Sequence, residues 1–255
     1  MIANYHTHTA RCHHAVGTEE EYVREAIARG LKILGFTDHT PQWFPGDYYS
    51  HMRMRPEELP DYVNTVNRLK ETYKKDIEIH LGMEVEYYPA IFPELVSHLK
   101  DSGIEYMILG QHWCKNEMGE PYNGNVTSDP ARLVQYCDQV IEAMETGLFT
   151  YFAHPDLLHF VGDEALYDTQ FLRICQASRE TNTPLEINLL GMRDNRWYPR
   201  DRFFPLAAEA GCSVILGCDT HKPQDITDPD SEAKAIKLVE QYGLNLLTTI
   251  PLKSF

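Results

Sequence analysis

Short apolar runs alternate along this chain with longer segments in which apolar residues recur every three or four positions, the pattern of strands alternating with amphipathic helices. Ile2, Ala3, Asn4 and Tyr5 form the first run. Thr18-Glu19-Glu20-Glu21 then reads as a capping box, and Tyr22, Val23, Ala26 and Ile27 give one apolar helical face closed by Gly30. The unit repeats. Residues 33–37, 77–81, 106–109, 149–153, 185–189 and 213–216 predict six further strands, and 246–250 a weak eighth. Helices are expected over 60–75, around 91–99, from Asp129-Pro130 to just before Gly147, over 166–179, 205–210 and 232–242.

Strands separated by helices imply a parallel α/β sheet, and repeated units of this kind close readily into a barrel with its active site at the C-terminal strand ends. Six of the runs end beside a side chain able to hold a metal: His6 and His8 with Cys12, His13 and His14 close behind, then Asp38-His39, Glu84, His112, His154, and Asp219 with His221. An open doubly wound sheet gathers only the strand ends at its switch point, so six converging ends favour the barrel.

Composition narrows the function. A chain of 255 residues, 43% hydrophobic, is long enough to bury a large core as a single domain over 1–255, and no linker or low-complexity stretch divides it. No apolar run approaches the roughly 20 residues needed to span a bilayer, so no membrane partner and a cytoplasmic location are expected. The formal net charge of −15, with no Lys/Arg cluster, disfavours long nucleic acid. The six cysteines form no C-x-x-C pair and read as reduced, packed thiols.

Imidazole and carboxylate ligate zinc, manganese and iron, and nine candidates exceed what one tetrahedral ion takes, so two or three divalent ions are expected. Side chains at i and i+2 of a strand share a face, so spacing alone does not separate Glu84 from Glu86, nor does it separate His13 from His14 in the first loop.

The ordered set H-x-H, D-H, G-x-E, an isolated histidine, H-P and D-x-H, running from His6 to His221, resembles the PHP (polymerase and histidinol phosphatase) superfamily. The first motif, His6-Thr7-His8-Thr9-Ala10-Arg11-Cys12-His13-His14, is most similar to the histidinol-phosphatase branch, as are Thr37 to Pro41, Gly82 to Tyr87, and Glu186 through Arg193. The resemblance implies a distorted seven-stranded (β/α) barrel. It implies one metal on His6, His8, Glu84 and Asp219, a second on bridging Glu84, His112 and His154, and a third on His14, His39 and His221. The motif selects Glu84 over Glu86 and leaves His13 for substrate or solvent. Two departures stand out: the branch's usual Ser-Val-His is Gly110-Gln111-His112 here, and the stretch after His154 offers only His159 as a basic residue.

The implied activity is metal-dependent hydrolysis of a small phosphate monoester, with L-histidinol phosphate, a histidine-biosynthesis intermediate, the leading substrate. Water bridging two ions, its pKa brought from 15.7 toward about 7, would supply the nucleophile. Arg193, in a G-x-R context, is the first choice for phosphate, with Arg196, Arg11 and His13 as further substrate contacts. Asp38 and Asp156 are candidates for the leaving-group acid or for orienting ligand imidazoles. The aromatic stretch Trp43, Phe44, Tyr48 and Tyr49 would wall the substrate pocket or form a packed lid. A phosphodiesterase or nuclease-like enzyme acting on cyclic or short nucleotides is the alternative. A non-catalytic metal-binding scaffold is the third.

Overall fold

The computed structural model describes residues 1–255. Eight strands form one parallel sheet in chain order: β1 (Ala3–Asn4), β2 (Ile33–His39), β3 (Glu78–Val85), β4 (Tyr106–Leu109), β5 (Phe149–Phe152), β6 (Leu185–Asn188), β7 (Ser213–Gly217) and β8 (Asn245–Leu247). Eight helices lie between them: α1 (Glu19–Ala28), α2 (Leu59–Tyr73), α3 (Phe92–Ser102), α4 (Pro130–Glu145), α5 (Glu164–Glu180), α6 (Leu189–Arg193), α7 (Phe203–Ala210) and α8 (Pro229–Tyr242).

Local chemistry sets these boundaries. The Thr18 hydroxyl accepts the Glu21 N–H while the Glu21 carboxylate accepts the Thr18 N–H, so the capping box read from the sequence starts α1. Asp129 and Asp163 cap α4 and α5 with their carboxylates, and Gly103, Gly211 and Gly243 end α3, α7 and α8 in the left-handed conformation. The periodicity did not predict α6, a five-residue helix that Asn188 caps at the end of β6.

The sheet curls until its edges meet. Past the end of β1, Thr7 bridges Thr220 in parallel, with the His8 N–H donating to Thr220 O and the Thr220 N–H donating to His6 O. Lower down, β7 pairs instead with β8, so seven strands make the ring and the eighth lies beside the seam. This refines the seven-stranded expectation without changing the fold.

The main core lies between the sheet and the helices, and a smaller cluster including Tyr5, Tyr106, Ile108, Tyr151 and Ile250 fills the barrel interior. Tyr106 reaches across that interior to donate its hydroxyl to Tyr5 O at 3.0 Å. The C-terminal segment passes under the barrel, where Lys253 N–H meets Thr150 and its ammonium reaches Thr181 O and Thr183. With the bottom filled, the C-terminal strand ends open to a large cavity. No helix is long and apolar enough to cross a membrane. All six cysteines are buried and unpaired.

Candidate metal centre

Parallel strands deliver their C-terminal residues to one rim, and the ligand candidates arrive there from six strand ends. His6 and His8 follow β1, His39 ends β2, and Glu84 is the penultimate residue of β3. His112, His154, Asp219 and His221 follow β4, β5 and β7. Two of these positions hold left-handed backbone rare for non-glycine residues, His154 at φ 33° and Asp219 at φ 47°, which turns their side chains inward at the cost of local strain.

Glu84 sits at the centre with its two oxygens facing opposite ways. Its Oε2 lies 2.9 Å from His39 Nδ1, 3.5 Å from His8 Nε2 and 3.7 Å from His6 Nε2. Its Oε1 lies 2.8 Å from His154 Nε2 and 3.9 Å from His112 Nε2. Asp219 Oδ1 closes one side, 3.2 Å from His8 Nε2 and 3.6 Å from His6 Nε2. On the solvent side His221 stacks on His8 at 4.1 Å and on His14 at 4.8 Å.

Five groupings of donor atoms have metal-site dimensions: His6, His8 and Asp219; His14, His39 and His221; His6, Glu84 and His154; His8, His39 and Glu84; and His8, Cys12 and His221. The first two sets fall where the resemblance assigns two of its three ions. The third differs in one member, since His6 rather than His112 groups with Glu84 and His154.

The donor chemistry fits divalent cations. His8 Nδ1, His39 Nδ1, His154 Nδ1 and Glu84 Oε2 are buried and complete no well-directed hydrogen bond, even though His39 Nδ1 and Glu84 Oε2 stand 2.9 Å apart, and such atoms are almost always paired in folded proteins. The Nε2 atoms of His6 and His8 face each other at 3.2 Å. Burial disfavours charge throughout, yet Glu186 and Asp219 hold His6 up to about 10, and the nearby Asp219 and Asp38 carboxylates hold His8 well above the usual imidazole range. Burial and the charge on His8 press His39 well down and His221 to about 3. Glu84 and Asp219 overcome burial and stay ionised because imidazoles surround them. A ring that keeps its carboxylates charged and cannot protonate all its histidines is built for cations.

A second layer fixes these ligands. His6 Nδ1 donates to Glu186 at 2.7 Å, which leaves its Nε2 lone pair for the centre. Glu186 also accepts the His154 N–H and the Asn188 amide, and Asn188 donates to Asp219 as well. A Cβ at residue 217 would stand 1.8 Å from Glu186 Oε1, so Gly217 makes the space this carboxylate fills. Neither Glu186 nor Asn188, in the run Leu185-Glu186-Ile187-Asn188, is among the site residues that the sequence singles out. The run's alternation of polar and apolar residues was the available signal that two polar side chains face inward.

The structure separates the two carboxylates of Gly82-Met83-Glu84-Val85-Glu86. Glu86 turns behind His112, 3.2 Å from its Nδ1, and pairs with the buried Arg53. Asp38 is likewise committed to support: it accepts the Thr9 hydroxyl and the His39 N–H and lies 3.5 Å from His8 Nδ1.

Over the metal centre opens a cavity of about 830 Å³, within the size range of small-molecule sites. Arg193, Arg196 and Lys222 bring positive charge to it, Asp194 and Asp225 negative charge, and Met52, Trp113, Tyr122, Leu190 and Tyr198 its less polar wall. Arg193 lies 3.5 Å from both Asp225 and Asp228, and Arg196 donates to the Tyr198 hydroxyl at 2.7 Å. Tyr122, Tyr198, Lys222 and Asp225 are lining residues that sequence reasoning missed, since none stands in a motif. A larger groove of about 980 Å³ runs along α4 but carries no histidine.

Several expected substrate contacts are placed elsewhere. Arg11 points away from the cavity into ion pairs with Glu19 and Asp61. His13, in left-handed backbone after a short 3-10 turn, is exposed and bonds Tyr49, while the next residue, His14, turns to His39 and His221. Asp156 is buried outside the cavity, accepting the Arg200 N–H, and burial pushes it up to about 7. Trp43, Phe44, Tyr48 and Tyr49 line a separate cavity, and His159 stacks on Trp197.

Comparison with known proteins agrees with this geometry. The PHP domain family model matches residues 4–189. A probable histidinol-phosphatase of Deinococcus radiodurans is 28% identical over 97% of this chain and 96% of its own length. The histidinol-phosphatase of Lactococcus lactis is 26% identical over 96% and 93%. The fold matches the crystal structure of histidinol phosphate phosphatase from Lactococcus lactis complexed with zinc, L-histidinol and phosphate, with a TM-score of 0.75, 22% identity and coverage of 97% and 96%. With the family model spanning most of the chain and the barrel and ligand ring in place, the chain belongs to the PHP domain family.

Proposed function

We propose that this protein is a metal-dependent phosphatase of small phosphate monoesters, with L-histidinol phosphate its substrate and L-histidinol and phosphate its products. The observation that carries the reading is the two-sided Glu84 carboxylate, flanked by His6, His8 and His39 on one oxygen and by His112 and His154 on the other, beneath a cavity lined by two arginines. Two or three ions of zinc, manganese or iron, when bound there, neutralise phosphate oxygens and make water nucleophilic near neutral pH.

The chain's own residues do the rest. Arg193 and Arg196 offer forked N–H donors to the phosphate, and Asp225 and Asp194 hold those forks in place. The same two carboxylates, at the rim, suit an ammonium group on the leaving alcohol. Trp113, tilted beside His112 at 6.0 Å, and Tyr122, stacked on it at 6.2 Å, give a planar leaving group a face to lie on. The relatives named histidinol-phosphatase support the substrate choice.

The test is phosphate release from L-histidinol phosphate, a panel of other phosphomonoesters and bis-p-nitrophenyl phosphate, by metal-loaded and metal-stripped protein. A preference for L-histidinol phosphate that requires metal supports the reading. A stronger rate on the diester moves the protein to the phosphodiesterase class. No turnover of any ester with two or three ions bound makes it a binding protein.

A further inference from the structure

Hydrolysis of an alkyl phosphate needs a proton for the departing alkoxide, and the carboxylates expected to give it are engaged elsewhere. Asp38 accepts from Thr9 and the His39 N–H, and Asp156 is buried outside the cavity, accepting from Arg200. Of the other groups lining the cavity, Asp225 and Asp194 are ion-paired with Arg193 and Arg196. The Tyr198 hydroxyl accepts from Arg196, and that residue is 1% exposed.

Tyr122 differs from all of these. It is partly exposed, and its hydroxyl neither hydrogen-bonds within the protein nor lies among the side-chain atoms sealed from solvent. The hydroxyl is therefore open to the cavity that this residue lines. Burial of the ring pushes it up to about 12, and the charges that act on it are those of Arg196, Asp219, Glu84 and Glu86. It thus stands near both the ligand carboxylates and the Arg196 fork offered to phosphate.

The surrounding chain fixes its place. Tyr122 bridges Trp113 as an antiparallel pair, and its ring lies within 12° of parallel to that of His112. The next residue, Asn123, donates its N–H to His112 O at 2.7 Å and its amide to Gln111 O at 3.0 Å, and accepts from Arg132 at 2.6 Å. A Cβ at residue 124 would stand 2.2 Å from the Tyr122 ring, so Gly124 lets the chain pass close behind it. A donor already held in position needs no reorganisation when charge develops on the substrate.

We propose that Tyr122 is the catalytic acid for the leaving group, an inference that rests on the phosphatase reading. As a water oxygen bonds to phosphorus, the bond from phosphorus to the ester oxygen breaks with its electron pair on that oxygen. The Tyr122 O–H proton passes to it, giving the alcohol, and the phenolate regains a proton from solvent through the open cavity.

The test compares Tyr122→Phe with the unmodified enzyme, both metal-loaded. L-Histidinol phosphate and glycerol phosphate release alkoxides that need a proton, and p-nitrophenyl phosphate releases a phenolate that leaves without one. In the variant, kcat on the alkyl esters should fall by about 10²-fold or more and kcat on the aryl ester by less than about threefold. Metal content, melting temperature and inhibition by inorganic phosphate should not change, because the hydroxyl has no partner to lose and does not hold the phosphoryl oxygens. Equal loss on both ester classes, or loss on neither, overturns the assignment. Weaker inhibition by phosphate also overturns it, as does a lowered melting temperature, which would mean a partner within the fold. His51 and Lys222 are exposed residues lining the same cavity, and an ester-dependent loss in His51→Asn or Lys222→Met but not in Tyr122→Phe moves the acid to that residue. An unmodified enzyme that turns over none of the three esters overturns the phosphatase reading and this inference together, whereas turnover with a uniform loss in the variant overturns this inference alone.

Discussion

His6 donates its Nδ1–H to Glu186 at 2.7 Å, and that one bond fixes which imidazole nitrogen faces the metal centre. Glu186→Gln keeps the size but allows the amide to present its NH₂ group, which disfavours the required tautomer. Metal affinity should fall by about 10- to 100-fold, measured by competition with a chromogenic chelator, and activity should return with excess metal. Unchanged affinity would show that the bond is incidental.

The same carboxylate makes Gly217 sensitive. An alanine there puts a methyl 1.8 Å from Glu186 Oε1, and backbone and side chain must part. The expected outcome is a loss of about 1–3 kcal/mol in denaturant unfolding, together with the metal-affinity defect of the Glu186 variant.

Arg193 is about a quarter exposed and held between Asp225 and Asp228, so it is poised for an anion rather than packed as core. Arg193→Ala should lower kcat/KM by on the order of 10²-fold with metal content unchanged, and Arg193→Lys should recover little because the fork is lost. Steady-state kinetics beside elemental analysis checks both. Arg11→Ala, which removes ion pairs away from the cavity, should leave KM where it was.

Away from the site, Glu105 lies at the lower edge of the barrel, accepts from Lys70 and the Leu81 N–H, and stands 3.6 Å from His80 Nδ1. Partial burial opposes its charge, but these partners outweigh it and press the carboxyl to about 2, below its ordinary 4.5. A depressed carboxylate contributes stability that is fully present above pH 4.5 and drains away as pH falls from 4.5 toward 2. Glu105→Gln should therefore flatten the acid limb of a melting-temperature profile and lower the plateau above it slightly, since the group is about a third exposed and screened.

The barrel was legible because its units are local: capping box, helical face and apolar run each lie within a few consecutive residues. The convergence of the candidate ligands was legible because a parallel barrel turns strand ends into neighbours, so His8 and Asp219 stand 3.2 Å apart although far apart in sequence. What escaped were side chains whose roles depend on direction. Spacing does not say that Glu84 turns inward while Glu86 turns behind His112, that His13 bends outward, or that Arg11 is captured by Glu19 and Asp61. Glu186 and Tyr198 escaped for a related reason, since each lies one fold-dependent contact from the motif it serves.

Removing the ions should act on the fold as well as the chemistry. A centre bound at 100 times its Kd adds about 2.7 kcal/mol to stability, so chelation should lower the melting temperature while abolishing phosphate release.

The seam where Thr7 meets Thr220 has a consequence of its own. Only a bridge and a few hydrogen bonds join β1 to β7 there, yet the ligand groups His6 and His8 on one side face Asp219 and His221 on the other. An ion held by groups on both sides of that line would act as a clasp between two segments more than 200 residues apart. Hydrogen exchange of the His8 and Thr220 amides would then track metal occupancy, opening first when the ions leave.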